Sequence, residues 1–149
     1  MIELNLLDLR EHLQFRTVEG KRYVFDAVRR KWLAAGPEEL VRQLLVHYLL
    51  LYKGYGKGRI GIEKGLKIND LERRCDVVIY DADLQPFLLI ECKAPKVTLD
   101  DAVFRQIAQY NMPLQVPYLA VTNGIVTYCC AMDYRQRSYS FLTEIPAQP

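Results

Sequence analysis

The sequence has no long apolar run, little excess charge, only two histidines and no cysteine pair at zinc-binding spacing, and each shortage excludes a class of protein. Its longest apolar stretch, residues 44–52, is interrupted by His47 and falls well short of the roughly 20 residues that a membrane helix needs. No basic segment followed by an apolar run and a small-residue cleavage site opens the chain, so it is expected to be soluble and cytoplasmic. The cysteines, Cys75, Cys92, Cys129 and Cys130, lack the C-x2-C spacing of a zinc knuckle. Two are vicinal and two stand in apolar runs, so buried reduced thiols are expected. The three glycines at Gly54, Gly56 and Gly58 form neither G-x4-G-K-S/T nor G-x-G-x2-G, which excludes the common phosphate-binding fingerprints and leaves a turn. A net charge of +2 does not announce a nucleic-acid binder.

What is present suffices for one folded body. Half of the 149 residues are hydrophobic, and a chain of this size buries roughly 70% of its unfolded surface. Residues 1–20 are weakly patterned and are expected as an N-terminal arm; residues 21–149 form the domain. Residues 21–25 suit a short strand and residues 27–35 a short helix carrying Trp32. From Pro37 to about Tyr52, Leu40, Val41, Leu44, Leu45, Tyr48, Leu51 and Tyr52 fall on one helical stripe. At about 100° per residue, Glu38 projects onto the margin of that stripe and Glu39 points nearly opposite, towards solvent. Residues 59–68, 73–80 and 86–93 read as an antiparallel meander, with Asp70, Asp81 and Asp83 supplying turns. A second helix over residues 99–111, with Thr98 as its N-cap, precedes strands at 117–122, 125–132 and 137–142, the first two joined by Asn123-Gly124. Helix, three strands, helix and further strands imply an α/β or α+β domain: one mixed sheet flanked by helices, with the second helix as a crossover.

Charge is distributed unevenly. Between Lys53 and Arg74 there are seven Lys or Arg against three acids, and Arg29-Arg30-Lys31 forms another cluster. More pointed is the end of the apolar strand Phe87-Leu88-Leu89-Ile90-Glu91-Cys92-Lys93-Ala94-Pro95. Side chains alternate along a strand, so Glu91 and Lys93 share a face. In the preceding strand Asp76 is a lone carboxylate in an apolar run, costly to bury unless it is paired or holds a cation. Antiparallel pairing brings it opposite the end that carries Glu91 and Lys93. Two converging carboxylates make a hard oxygen site suited to Mg²⁺ or Mn²⁺, with Glu38 within reach from the first helix. Lys93 beside such a site can orient a nucleophilic water and neutralise a scissile phosphate. The competing interpretation of the same residues is a buried ion pair, Asp76–Lys93 or Glu91–Lys93, that fixes the hairpin.

In the second helix Gln106 and Tyr110 are four residues apart on one face and can present an amide and a phenol to phosphate or to a base edge. Glu38, Asp76, Glu91-Cys92-Lys93 and Gln106-x-x-x-Tyr110 together resemble the PD-(D/E)xK nuclease superfamily. More narrowly, Pro37-Glu38-Glu39-Leu40-Val41-Arg42-Gln43, Arg74-Cys75-Asp76-Val77-Val78, Ile90-Glu91-Cys92-Lys93-Ala94-Pro95, Gln106-Ile107-Ala108-Gln109-Tyr110-Asn111 and Thr122-Asn123-Gly124 resemble the N-terminal nuclease domain of the type I restriction enzyme R subunit. The resemblance implies a restriction-endonuclease-like fold, a Mg²⁺-dependent DNA endonuclease, Asp76 and Glu91 as metal ligands, Lys93 as the catalytic lysine and Gln106 with Tyr110 as an accessory pair. The family's helix acid maps to Glu38 or Glu39, and the helical wheel favours Glu38. Cys75 stands where the superfamily pattern has proline. No Walker motif is present, so a separate motor or specificity protein is an expected partner beside DNA, and a second copy of the chain is another if both strands of a duplex are cut. The alternative within the same fold is a non-catalytic DNA-binding module.

Overall fold

Alternation of buried residues on two faces sets the centre of the molecule. In the computed structural model, which describes residues 1–67 and 70–149 in full and residue 68 by its backbone, the elements run β1 (Ile2–Glu3), β2 (Phe15–Val18), β3 (Lys21–Asp26), β4 (Lys31–Ala34), α1 (Pro37–Tyr52), β5 (Ile60–Ile68), β6 (Leu71–Tyr80), β7 (Pro86–Cys92), α2 (Asp101–Asn111), β8 (Tyr118–Thr122), β9 (Val126–Asp133) and β10 (Ser138–Phe141). Short 3-10 helices occupy Leu6–His12, Lys57–Arg59 and Met112–Leu114. The main sheet has the order β1-β9-β8-β7-β6-β5, with β10 also on β9, and β2-β3-β4 form a separate small sheet.

The expected α/β architecture is observed. β5, β6 and β7 make an antiparallel meander, and β7 pairs in parallel with β8 once α2 has crossed over. On one face Val77, Ile79, Leu88, Ile90 and Ala120 pack against Leu44, Leu45 and Leu49 of α1. On the other, Val78, Leu89, Leu119 and Val121 meet Phe104 and Ala108 of α2. Each such side chain contributes about 1.5–3 kcal/mol of transfer free energy, so a central strand apolar on both faces is stabilised only where helices cover both. The four cysteines are buried free thiols, as expected. Burial pushes the Cys75 thiol up to about 11 and those of Cys129 and Cys130 up to about 12. No helix among the described residues is long and apolar enough to cross a membrane.

Two expectations need correction. Residues 27–35 are not helical: a turn follows β3 and the chain re-enters as β4. The Asp26 carboxylate accepts hydrogen bonds from the backbone N–H groups of Val28 and Arg29 at 2.9 and 2.8 Å, and Arg30 takes a left-handed φ of 56°. Those local bonds bend the backbone away from a helix that side-chain pattern alone suggests. The N-cap of α2 is Asp100, whose carboxylate accepts from Val103 N–H at 2.8 Å, and not Thr98. Leu99 is buried just before it, which fixes where the first turn can begin. Residues 1–20 place β1 on the sheet edge, the Leu6–His12 helix against α1, and β2 in the small sheet.

Candidate active site at the ends of β6 and β7

The β6–β7 ladder runs from Tyr80–Pro86 to Val77–Ile90 and stops there. Beyond that pair Asp76 supplies the missing acceptor, since its Oδ2 takes the backbone N–H of Cys92 at 2.8 Å. A carboxylate thus stands where a ladder carbonyl would otherwise be, at the point where β7 delivers Glu91 and Lys93. Glu91 and Lys93 pair across their shared face at 3.2 Å, each about one-third exposed. On the far side of β7, Lys93 N–H donates to Thr122 O at 2.8 Å. The loop after Lys93 is held by Asn123, whose amide donates to Val97 O at 2.9 Å while its Oδ1 accepts from Ile125 and Val126 N–H. Thr122-Asn123-Gly124 is therefore a clip on the strand end that carries the lysine.

Opposite Asp76 on β5 the chain does something unusual. Ile62 pairs with Val77 and Lys64 with Cys75, but Glu63, between them, has a left-handed φ of 52°. A non-glycine residue in that region costs of order 1–3 kcal/mol and persists only where its surroundings hold it. Here they do: the Glu63 carboxylate accepts from Arg29 at 2.9 Å and lies 3.4 Å from Arg74 and 3.5 Å from Arg42. Burial would raise the Glu63 carboxyl, but these three guanidinium groups outweigh it and hold the group below the ordinary range.

From α1 comes a second set of groups. Arg42, 8% exposed, donates Nε to Glu39 Oε2 at 2.9 Å and a second hydrogen bond to Oε1, and its NH1 lies 3.6 Å from Asp76 Oδ1. Gln43, fully buried, joins Glu39 at 3.2 Å to Asp26 at 3.0 Å. Glu39 is consequently 13% exposed and paired, which corrects the expectation of a solvated Glu39. The helical wheel locates a residue relative to the core stripe, and here the turn after β3 covers the opposite flank with Arg29. Glu38 is the exposed member of the pair. Its carboxyl is raised, first by partial desolvation and then by the charge of Asp76, with Glu91 adding to the effect and Lys93 and Arg42 opposing it. Glu38 thus senses the same carboxylates that the sequence groups with it.

On the α2 side, an open cleft of about 380 Å³ is bordered by Asp76, Glu91, Arg74, Tyr110 and Asn111. Tyr110 is 61% exposed beneath the Arg73 guanidinium, which lies 4.4 Å from its ring centroid. Gln106 is exposed on the same helix but does not border that cleft. Asp76 and Glu91 are the two carboxylates that border the cleft. Among the described residues no group of three or more His, Cys, Asp or Glu side chains is set closely enough to hold a metal ion by itself. Sequence reasoning missed Arg42 and Glu63. Arg42 had one signal, an arginine inside the apolar stripe three residues after Glu39; Glu63, an ordinary acid in a strand, had none.

No curated protein matches the chain. The fold is similar, with a TM-score of 0.50 and 17% identity, to a fragment structure assigned to the HsdR subunit of a type I restriction enzyme from Vibrio vulnificus YJ016. That likeness covers 74% of this chain and 23% of the other, so the chain spans less than a quarter of its solved relative. The model of the type I restriction enzyme R protein N terminus matches residues 37–146. Because that match takes in well over half of the chain, from α1 onwards, the chain belongs to the family of type I restriction enzyme R protein N termini.

Proposed function

We propose that the protein is a DNA endonuclease of the PD-(D/E)xK type that hydrolyses phosphodiester bonds with the help of Mg²⁺ or Mn²⁺. The observation that carries this is the junction of Asp76 with Glu91 and Lys93 at the open end of the β6–β7 ladder, in a chain of the restriction R family. The donor chemistry fits a hard divalent cation: the available ligands are carboxylate oxygens, and the neighbouring Cys92 thiol is pushed well above its ordinary value, chiefly by complete burial. After partial desolvation, the charges of Asp76 and Glu91 also raise the Glu38 carboxyl, an effect that added positive charge relieves. Asp76 and Glu91 would hold the ion, which retains waters when only two carboxylates bind it. When bound, such an ion supplies Lewis acidity and a more acidic water.

The chain's own groups do the rest. Lys93 brings its ammonium beside Glu91, where it counters charge gathering on the phosphate as water adds to phosphorus and one P–O ester bond breaks. Glu38, with its carboxyl raised, accepts a proton from the attacking water. Tyr110 donates its phenol to a phosphate oxygen across the cleft, and Gln106 reaches the same strand from the adjoining turn of α2. The Arg42 guanidinium, 3.6 Å from Asp76, holds that carboxylate in place.

One observation favours the second reading, a DNA-binding module without catalysis: Asp76 and Glu91 already have cationic partners in Arg42 and Lys93. Cleavage of supercoiled, nicked and linear DNA with Mg²⁺ or Mn²⁺ separates the two. Lys93→Ala is expected to cut at least about 100-fold more slowly. Equal nicking by both proteins would remove Lys93 from the chemistry, and metal-independent binding without product would favour the second reading.

A further inference from the structure

Away from the carboxylates, a second concave surface lies between the small sheet, the Leu6–His12 helix and the C-terminal half of α1. It is an open groove of about 1270 Å³ whose polar lining comes from His12, Gln14, Arg30, His47 and Lys57, with Phe25 as its aromatic wall. No acidic side chain lines it. Glu11, 80% exposed, lies 3.8 Å from His12. The two imidazoles stack at 5.7 Å between centroids with 28° between planes. Beside Phe25, in an edge-to-face contact at 5.2 Å, stands Trp32, with the Arg16 guanidinium 4.7 Å from its ring centroid.

The register of the small sheet explains why these groups meet. Arg16 pairs with Tyr23 and Phe25 with Trp32, and alternation puts all four on one face, which also carries Lys21. The opposite face holds Val24 and Asp26, both fully buried. One side of the small sheet is thus bound to the core and the Asp26–Arg29 network, and the other offers aromatic rings interleaved with cations. His47 follows Glu38 by nine positions of α1, about 14 Å of helix axis and two and a half turns, which puts the two on opposite sides of the helix. The groove is therefore distinct from the β6–β7 site. It also adjoins residues 15–34, which lie outside the stretch matched by the family model.

We infer that this groove is a second docking site for a single nucleic-acid strand, with a backbone phosphate held among His12, His47, Lys57 and Arg30 and a base against the Phe25–Trp32 wall. Cations without opposing acids select a polyanion, and half-buried aromatic rings with a free face select the bases that a single strand leaves unpaired. A free phosphate would use only the cations and leave the aromatic wall idle. The local field supports the assignment. His47 is held below its ordinary value by burial and then by the charges of His12 and Lys57, so a bound phosphate relieves a repulsion already present. The inference rests on reading the protein as one that acts on nucleic acid, but not on its cleaving it.

The test uses the full chain with divalent cations chelated, so that binding is read without cleavage. The chain has two histidines and one tryptophan, which makes both reporters unambiguous. An oligothymidylate of about eight nucleotides is titrated while the imidazole resonances of His12 and His47 and the fluorescence of Trp32 are followed, with inorganic phosphate and duplex DNA as parallel arms. Expected are a rise of about one pH unit in the His47 midpoint and quenching of Trp32. The doubly substituted Lys57→Gln, Arg30→Gln protein should bind about tenfold or more weakly at low salt, and the slope of log affinity against log salt should shrink by about 0.7, the share of one phosphate. Unshifted histidines in the presence of bound or unbound oligonucleotide, an unchanged salt slope in the double variant, or a response to inorganic phosphate alone would each overturn the assignment. Loss of cleavage with the His47 response intact would strike only the nuclease reading.

Discussion

Replacing Arg42 by methionine tests whether the charge network behind Asp76 acts as a unit. The substitution keeps the length of the buried stem and removes the hydrogen bonds to Glu39 and the ion pairs to Glu63 and Asp76. Removing one partner of a buried pair costs about 3–5 kcal/mol, because the other charge is left desolvated. Two features set the value at the lower end. Glu39 keeps Gln43 at 3.2 Å and Arg29 at 3.7 Å, and Asp76 and Glu63 are 25% and 35% exposed, so water screens them in part. A loss of about 3 kcal/mol follows, equivalent in a domain of this size to a fall in Tm of about 6–12 °C. If orphaned Glu39 is the main source of that loss, adding Glu39→Gln restores at least about 1 kcal/mol. Urea unfolding of the wild type, both single variants and the double variant closes the cycle at constant m. A double variant as unstable as the sum of the singles would refute the coupling, and with it the claim that Arg42 acts through the carboxylates it touches.

Three further outcomes follow from described contacts. Asp26 would be raised by burial, but hydrogen bonds from Arg29 and Gln43 hold it below its ordinary value. Its contribution is therefore fully present above about pH 4 and is lost as pH falls through the depressed folded value; Asp26→Asn should cost about 2 kcal/mol at pH 7 and flatten the acid limb of a stability–pH curve. A thiol reagent at pH 8 should leave all four buried cysteines of the folded protein unreacted and titrate four in denaturant; rapid native reaction of any one would show that its strand opens. Gly124→Ala should destabilise by about 1–2 kcal/mol, because φ is +90° and the added carbon would lie 3.3 Å from Val41 Cγ2; an unchanged denaturation midpoint would refute the strain.

The sheet and α1 were legible because their residues repeat with a period. Alternation at Val77, Ile79, Leu88 and Ile90 and the stripe through Leu44, Leu45 and Tyr48 report a buried face before any partner is known. The pairing of Asp76 with the end of β7 was legible too, since a hairpin relates early positions of one strand to late positions of the next. Residues 27–35 were not, because their form depends on Asp26 bonding two backbone amides ahead of it. Glu39 and Glu63 escaped for a different reason: Glu39 is covered by Arg42 and, more loosely, by Arg29, and Glu63 is held by Arg29, Arg42 and Arg74, with Arg29 on a turn whose position depends on the small sheet. Long-range partners of single charges leave no periodic trace. Whether Gln106 joins Tyr110 at the cleft was likewise beyond a rule that fixes only their shared helical face.

The bond from Cys92 N–H to Asp76 has a consequence for anyone watching this site in solution. An amide in a continuous ladder exchanges its hydrogen only when the strands part, whereas this one is held by a side chain with other calls on it. Whatever recruits the Asp76 carboxylate, a cation or a displaced guanidinium, draws on the acceptor of the Cys92 amide. Exchange at that single position, set against its neighbour Ile90 inside the ladder, therefore times the engagement of the site with no substrate, label or cleavage step.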